Sequence, residues 1–191
     1  MSPKRLLPAL LCALLNTAVH ADYEEGVTAA QNGDYATALH EFQLAADEGL
    51  DLAQYNLAIL YFTGRGVEQD YTLALHWTTK AAEQGHLNAQ FNLGALYYTG
   101  TGTAVDLEKS LYWYTNAAEG QHGEAQYNLA TMYELGEGTP MDLVRAHFWA
   151  SASQYNEFGD APALLQTLAA KMTPEQLSEA RGAFARWRLD L

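Results

Sequence analysis

The chain repeats itself every 36 residues, and no local motif constrains it as strongly. A fixed period of about 20 to 50 residues means stacked copies of one small unit, each burying its apolar face against its neighbours, rather than a globule with one centre. Residues from Ala53 read AQYNLAILYFTGRG, those from Ala89 read AQFNLGALYYTGTG, and those from Ala125 read AQYNLATMYELGEG. Leu57, Leu93 and Leu129 correspond, as do Tyr61, Tyr97 and Tyr133, Asp70, Asp106 and Asp142, and Trp77, Trp113 and Trp149.

Each copy divides into two helices. Ala53, Leu57, Leu60 and Tyr61 recur at the i, i+4, i+7, i+8 spacing of one helix face, and Gly64 stands where a left-handed C-terminal cap belongs. The second helix starts after Asp70, Asp106 or Asp142, whose carboxylates can accept the orphan N–H groups of a helix start, and runs to about Gly85 in the first copy. Ala58, Gly94 and Ala130 are small on the first helix, and Ala74, Ser110 and Ala146 on the second, so small is expected to face small where the helices approach. The Trp77, Trp113 and Trp149 stripe reads as core. Glycine pairs such as Gly100 and Gly102 follow a helix rather than a strand, so they read as linker turns rather than a phosphate cradle.

This pattern resembles the Sel-1-like repeats, relatives of the tetratricopeptide arrays, over residues 51–156. Upstream, Gly26, Ala38, Phe42 and Ala45 in residues 22–50 resemble a tetratricopeptide-length unit, with four fewer linker residues than the later copies. In residues 157–191, the stretch from Asp160 to Met172 and then Thr173-Pro174-Glu175-Gln176 predicts a closing pair of helices, the second with Pro at its first position and ending near Arg188. The resemblance implies an all-α, right-handed α-solenoid of about five antiparallel helix pairs. It also implies a concave groove that takes a protein or peptide partner.

The ends and the charge refine that expectation. Lys4 and Arg5, the apolar stretch from Leu6 to Leu15, and small Val19 and Ala21 before Asp22 predict an export signal over residues 1–21, cleaved near Ala21, and hence a periplasmic or secreted protein. Asn16 ends the apolar run well short of the about 20 residues a membrane span needs, so no membrane insertion is expected. Cys12, the only cysteine, lies inside this segment behind Leu11, where lipoprotein processing would need a small residue. The mature chain would then lack a thiol, which excludes disulfides and thiolate metal ligands. It would carry 8 basic against 23 acidic residues. Such a field repels phosphate backbones and suits a basic partner, so no nucleic acid is expected. Residues 22–160 hold 4 basic and 20 acidic side chains, whereas 161–191 hold 4 and 3.

No catalytic constellation is legible: there is no H-E-x-x-H, P-loop, G-x-S-x-G or S-x-x-K. His40 and His76, like His86 and His122, lie one period apart and read as surface or loop residues rather than metal ligands. Catalytic residues, metal ligands and cofactors are therefore expected to be absent. Nothing in the sequence sets an oligomeric state. Some cysteine-rich members of the resembled family are linked with β-lactam binding or hydrolysis, but the cysteine pairs of those members are missing here.

Binding positions follow from the surplus of apolar residues on the first helix of each copy. Tyr55, Ile59 and Phe62 fall at i, i+4, i+7, matched by Phe91, Ala95 and Tyr98, then Tyr127, Thr131 and Glu134. By resemblance to tetratricopeptide arrays these positions line the concave surface. Tyr55, Phe91 and Tyr127 have a second reading, as seals between adjacent units, because an aromatic recurs there in every copy. Ile59, Phe62, Tyr98, Thr131 and Glu134 belong to positions that vary among copies, as a specificity surface would. The family resemblance implies two roles: an interaction adaptor of the bacterial envelope, or a periplasmic immunity protein that neutralises an antibacterial effector, such as a lipase, delivered by type VI secretion.

Overall fold

The computed structural model describes residues 6–190 and is helical throughout them, with no strand. The helices are α1 (Leu6–Gln31), α2 (Tyr35–Asp47), α3 (Asp51–Thr63), α4 (Tyr71–Glu83), α5 (Leu87–Thr99), α6 (Leu107–Glu119), α7 (Gly123–Leu135), α8 (Leu143–Tyr155), α9 (Ala161–Lys171) and α10 (Pro174–Leu189). Lys4 and Arg5, part of the expected export signal, lie outside the described residues. α1 runs unbroken through Ala21 and Asp22, so the apolar stretch and the first repeat helix are one helix in the full chain. Among the described residues no helix is long and apolar enough to cross a membrane.

Local chemistry sets the helix ends. Asp70 accepts from the backbone N–H groups of Thr72 and Leu73, Asp106 from Lys109, and Asp142 from Arg145. Each such cap contributes about 1 kcal/mol. Gly64 and Gly136 close α3 and α7 in the left-handed conformation, with φ of 69° and 74°. The second glycine of each linker has a different job. A Cβ on Gly66 would run into the Tyr35 carbonyl, and one on Gly138 into the Leu107 carbonyl, so these glycines let a linker lie against the start of the preceding α2 or α6. At the far end Thr173 and Gln176 form a reciprocal capping box, with Pro174 in the first turn of α10.

The chain divides into two compact units between His86 and Leu87. In the first, α1 packs on α2, α2 on α3 and α3 on α4. Its core holds Phe42, Leu57, Leu60 and Trp77, with Tyr23 and Val27 of α1 packed against it. In the second, α5 packs on α6, α6 on α7 and α7 on α8. Its core centres on Leu129, Met132, Tyr114 and Leu168. Leu57, Leu93 and Leu129 are each fully buried at the same repeat position. Every one contributes about 1.5–3 kcal/mol by leaving water. Buried amides tie successive hairpins together: Gln54 donates to the Ala46 carbonyl at 3.1 Å and Gln126 to the Ala118 carbonyl at 2.9 Å. Gln84 and Asn156 donate in turn to the side-chain oxygens of Gln54 and Gln126, each at 2.8 Å.

Three packing details depart from the sequence reading. Gly94 does not face a small residue: a Cβ there would lie 2.7 Å from the Tyr114 ring. Gly26 makes room for the Phe42 ring in the same way, again at 2.7 Å. Of the three tryptophans only Trp77 is buried, whereas Trp113 and Trp149 are half-buried; the next residue, Thr78, Tyr114 or Ala150, is buried in all three copies. The closing helices are not a repeat-like hairpin either. α9 and α10 both pack on α8, and their mutual contact is slight, since extended Met172 and Thr173 are the whole connection.

Candidate functional site

The nine positions that the first helices bring up at i, i+4 and i+7 separate into three kinds once their neighbours are known. Tyr55, Phe91 and Tyr127 are half-buried at hairpin joints. Tyr55 stacks on His86 with centroids 4.4 Å apart, Phe91 stacks on His122 at 4.6 Å, and Tyr127 tilts against Phe158 at 5.1 Å. The partner lies 31 residues ahead each time, so the two series of rings could have been paired from the sequence. Burial holds both histidines below the usual imidazole value. His122 is also a helix cap, its Nδ1 accepting from the Ala125 N–H at 3.2 Å. His86 and His122 lie in loops, as the sequence reading has them, and there they are also ring-stacked parts of a joint, whereas His40 and His76 are exposed on helices.

Glu134 is the second kind. Its side chain is only 10% exposed, and the carboxylate accepts from the Lys171 ammonium at 2.8 Å, which commits it to the closing helix α9. Ile59 and Ala95 are half-buried on α3 and α5.

Phe62, Tyr98 and Thr131 are the third kind. Phe62 of the first unit is 44% exposed and meets Tyr71 edge-on at 5.3 Å. Tyr98 and Thr131, in the second unit, border a cavity of about 210 Å³ together with Tyr114, Asn128, Met132 and Glu137. These six residues come from α5, α6, α7 and the linker after α7. Two larger depressions are less constructed, one lined along α10 alone and the other at the α1–α2 turn.

The pocket has an apolar floor and a polar rim. Tyr114 is buried, and desolvation pushes its hydroxyl pKa up to about 12, while Asn128 hydrogen-bonds that hydroxyl. Met132 is 1% exposed. At the mouth the Tyr98 hydroxyl donates to the Glu137 carboxylate at 2.9 Å. That bond raises the Tyr98 pKa above the usual phenol value, because losing the proton would lose the bond and set two anions together. The Thr131 hydroxyl donates to the Tyr127 carbonyl of its own helix at 3.1 Å, which leaves its methyl group for the wall.

The four basic residues between residues 22 and 160 share one habit. Arg65 lies over the Tyr35 ring at 5.4 Å, Lys80 over Trp77 at 4.8 Å, Lys109 over Tyr97 at 5.1 Å and Arg145 over Tyr133 at 5.5 Å. Lys109 and Arg145 are also paired with the helix-capping carboxylates of Asp106 and Asp142, at 3.0 and 3.4 Å. Each repeat cation is thus already placed against a ring, two of them against a capping carboxylate as well.

Comparison with known proteins bears on what such an arrangement is for. The Sel1 repeat matches three times, over residues 51–86, 87–122 and 123–153. The chain belongs to the Sel1 repeat family. A Sel1 repeat protein from Oxalobacter formigenes shares the fold with a TM-score of 0.72 and 30% identity, over 75% of this chain and 59% of that one. A second crystal structure, of c5321, is described as a protective antigen of uropathogenic Escherichia coli strains displaying an SLR fold. It aligns with a TM-score of 0.53 and 25% identity, over 88% of this chain and 45% of that one. The chain thus spans less than two thirds of the length of either protein. No curated protein matches it.

These matches place the chain in the α-solenoid class of stacked helix pairs, and Sel1 repeats generally mediate protein–protein interaction. Within a Sel1 frame the variable position occupied by Phe62, Tyr98 and Glu134 has three fates: an exposed ring, a pocket rim and a clasp to the closing helix. Tyr114, Asn128, Met132 and Glu137 were not among the sequence-derived site residues. Asn128 repeats Asn56 and Asn92, so it did not stand out among the copies, whereas Glu137 shares its linker position with Arg65 and Thr101, a variation that could have marked it.

Proposed function

We propose that this Sel1 repeat protein is a non-catalytic scaffold of the bacterial cell envelope that holds a protein or peptide partner through the exposed variable face of its first helices. The pocket rimmed by Tyr98 and Glu137 carries this reading, because it joins a variable repeat position to a carboxylate that no cation neutralises, in a chain whose repeat cations are already seated on rings. Aromatic side chains at such positions are the residue type that dominates interface energetics. The export signal expected over residues 1–21 supports the envelope as its place of work.

The acidic field supports one finer variant, in which the partner is a basic effector and the protein acts as its immunity protein. Co-expression with the product of a neighbouring effector gene separates the two: rescue of growth supports immunity, and no rescue supports the adaptor role.

The scaffold reading is tested by capture from periplasmic extract at low and physiological ionic strength, followed by mass spectrometry. A specific partner whose association rate falls steeply as salt rises supports it. Capture of nothing at either salt, or turnover of an ester, glycan or β-lactam by the purified protein, overturns it.

A further inference from the structure

Lys109 and Arg145 show how this chain holds a cation. Each lies over a tyrosine ring, Tyr97 or Tyr133, and each is paired with an aspartate, Asp106 or Asp142. Arg145 adds a hydrogen bond to the Tyr133 hydroxyl at 3.3 Å. Ring face and carboxylate together are the recurrent solution, since the ring quadrupole and the anion attract the same charge.

The pocket between α5, α6 and α7 offers the same elements with no cation of the chain on them. Tyr98 and Tyr114 supply rings, Met132 and the Thr131 methyl an apolar wall, and Glu137 a carboxylate at the mouth. One oxygen of that carboxylate accepts from Tyr98 at 2.9 Å, and the other has no partner among the described residues. The two basic side chains between Leu87 and Asp160 are Lys109 and Arg145, both seated elsewhere. Between Leu87 and Asp142 there are seven acidic residues and one lysine, so the surrounding field adds to the attraction.

We infer that this pocket is the seat for one arginine or lysine side chain of a protein partner. The inference rests on the scaffold reading above and deepens it by naming the chemistry recognised. The aliphatic stem lies along Met132 and Tyr114, which suits the amphipathic build of these side chains, and the charged head reaches the Glu137 carboxylate beside the Tyr98 ring. An anionic side chain would be repelled by Glu137, and an aliphatic one would leave that carboxylate without a counter-charge.

The test is a titration of the full ¹⁵N-labelled chain with N-acetyl-arginine-N-methylamide, repeated with the citrulline and leucine counterparts. Citrulline keeps the shape and removes the charge. Saturable shifts of the Tyr98, Thr131 and Glu137 amides with the arginine compound are expected, with citrulline at least about tenfold weaker. Glu137→Gln should weaken the arginine response to a similar degree without moving the melting temperature. Equal binding of citrulline or leucine, shifts centred elsewhere, or no response at all overturns the assignment. Should Glu137→Gln fail to fold, the arginine–citrulline comparison in the unaltered protein still decides. A partner captured from extract alongside a silent arginine titration sinks the pocket assignment alone. An arginine response with no captured partner sinks the scaffold reading instead.

Discussion

The two units solve one packing problem twice, and only one solution leaves something over. In the first, Gly26 of α1 makes room for Phe42 of α2, and the ring disappears into the core with 3% exposure. In the second, Gly94 of α5 makes room for Tyr114 of α6, but the ring carries a hydroxyl that ends at a cavity beside Asn128. Between these, Ala58 sits at the repeat position of Gly94, and Thr78 at that of Tyr114. A hairpin of this kind therefore accepts either alanine with a small partner or glycine with a ring. The choice of tyrosine over phenylalanine turns a filled gap into a pocket floor.

The largest effect that can break this comparison is Gly94→Ala. In a helix that change ordinarily stabilises by about 1 kcal/mol, but here the new Cβ meets the Tyr114 ring. Overpacking costs about 1–3 kcal/mol, so a net loss is expected in urea unfolding. In a Tyr114→Thr background, which copies the Ala58 and Thr78 arrangement, the same change should stabilise. A change of the same sign in both backgrounds would mean that glycine and ring are not coupled.

The joints sharpen the contrast with a smaller effect. Two joints, Tyr55–His86 and Phe91–His122, contain a histidine, whereas Tyr127–Phe158 does not. Burial lowers the His122 pKa in the folded chain, so the unfolded state takes up the proton first. Stability is accordingly complete above the ordinary imidazole value and is lost as pH falls from about 7 towards 5. The Nδ1 that accepts from Ala125 must also stay unprotonated to cap α7. Melting temperature should therefore drop over this range, and should drop less in His122→Asn, which keeps a capping oxygen without the titration. An identical pH dependence in the two proteins would remove His122 from the account.

Much of this architecture is legible in the sequence because it is local. Asp70, Asp106 and Asp142 as caps, Gly64 as a left-handed stop, and the Thr173–Gln176 box each depend on residues within one turn. The site was legible only in part. Phe62, Tyr98 and Thr131 follow from helical spacing, but Tyr98 meets Glu137 across 39 residues and Glu134 meets Lys171 across 37. Those pairings depend on the rotation of one hairpin against the next, which no single-helix pattern encodes. Within a hairpin, the rotation of α6 against α5 likewise decides that the Tyr114 ring meets Gly94. The α9–α10 arrangement escaped for a related reason: capping signals mark where helices start, not which neighbour they choose.

Buried rings hold the fold and exposed rings are left to meet a partner, a division that one measurement addresses. The Phe62→Ala, Tyr98→Ala double variant should be compared with the unaltered protein for affinity towards the partner captured from periplasmic extract, with helicity and melting temperature recorded on the same samples. Both rings are well exposed, at 44% and 38%, so affinity should fall while helicity and melting stay nearly unchanged. Unfolding of the variant, or full affinity with both rings gone, would contradict the account.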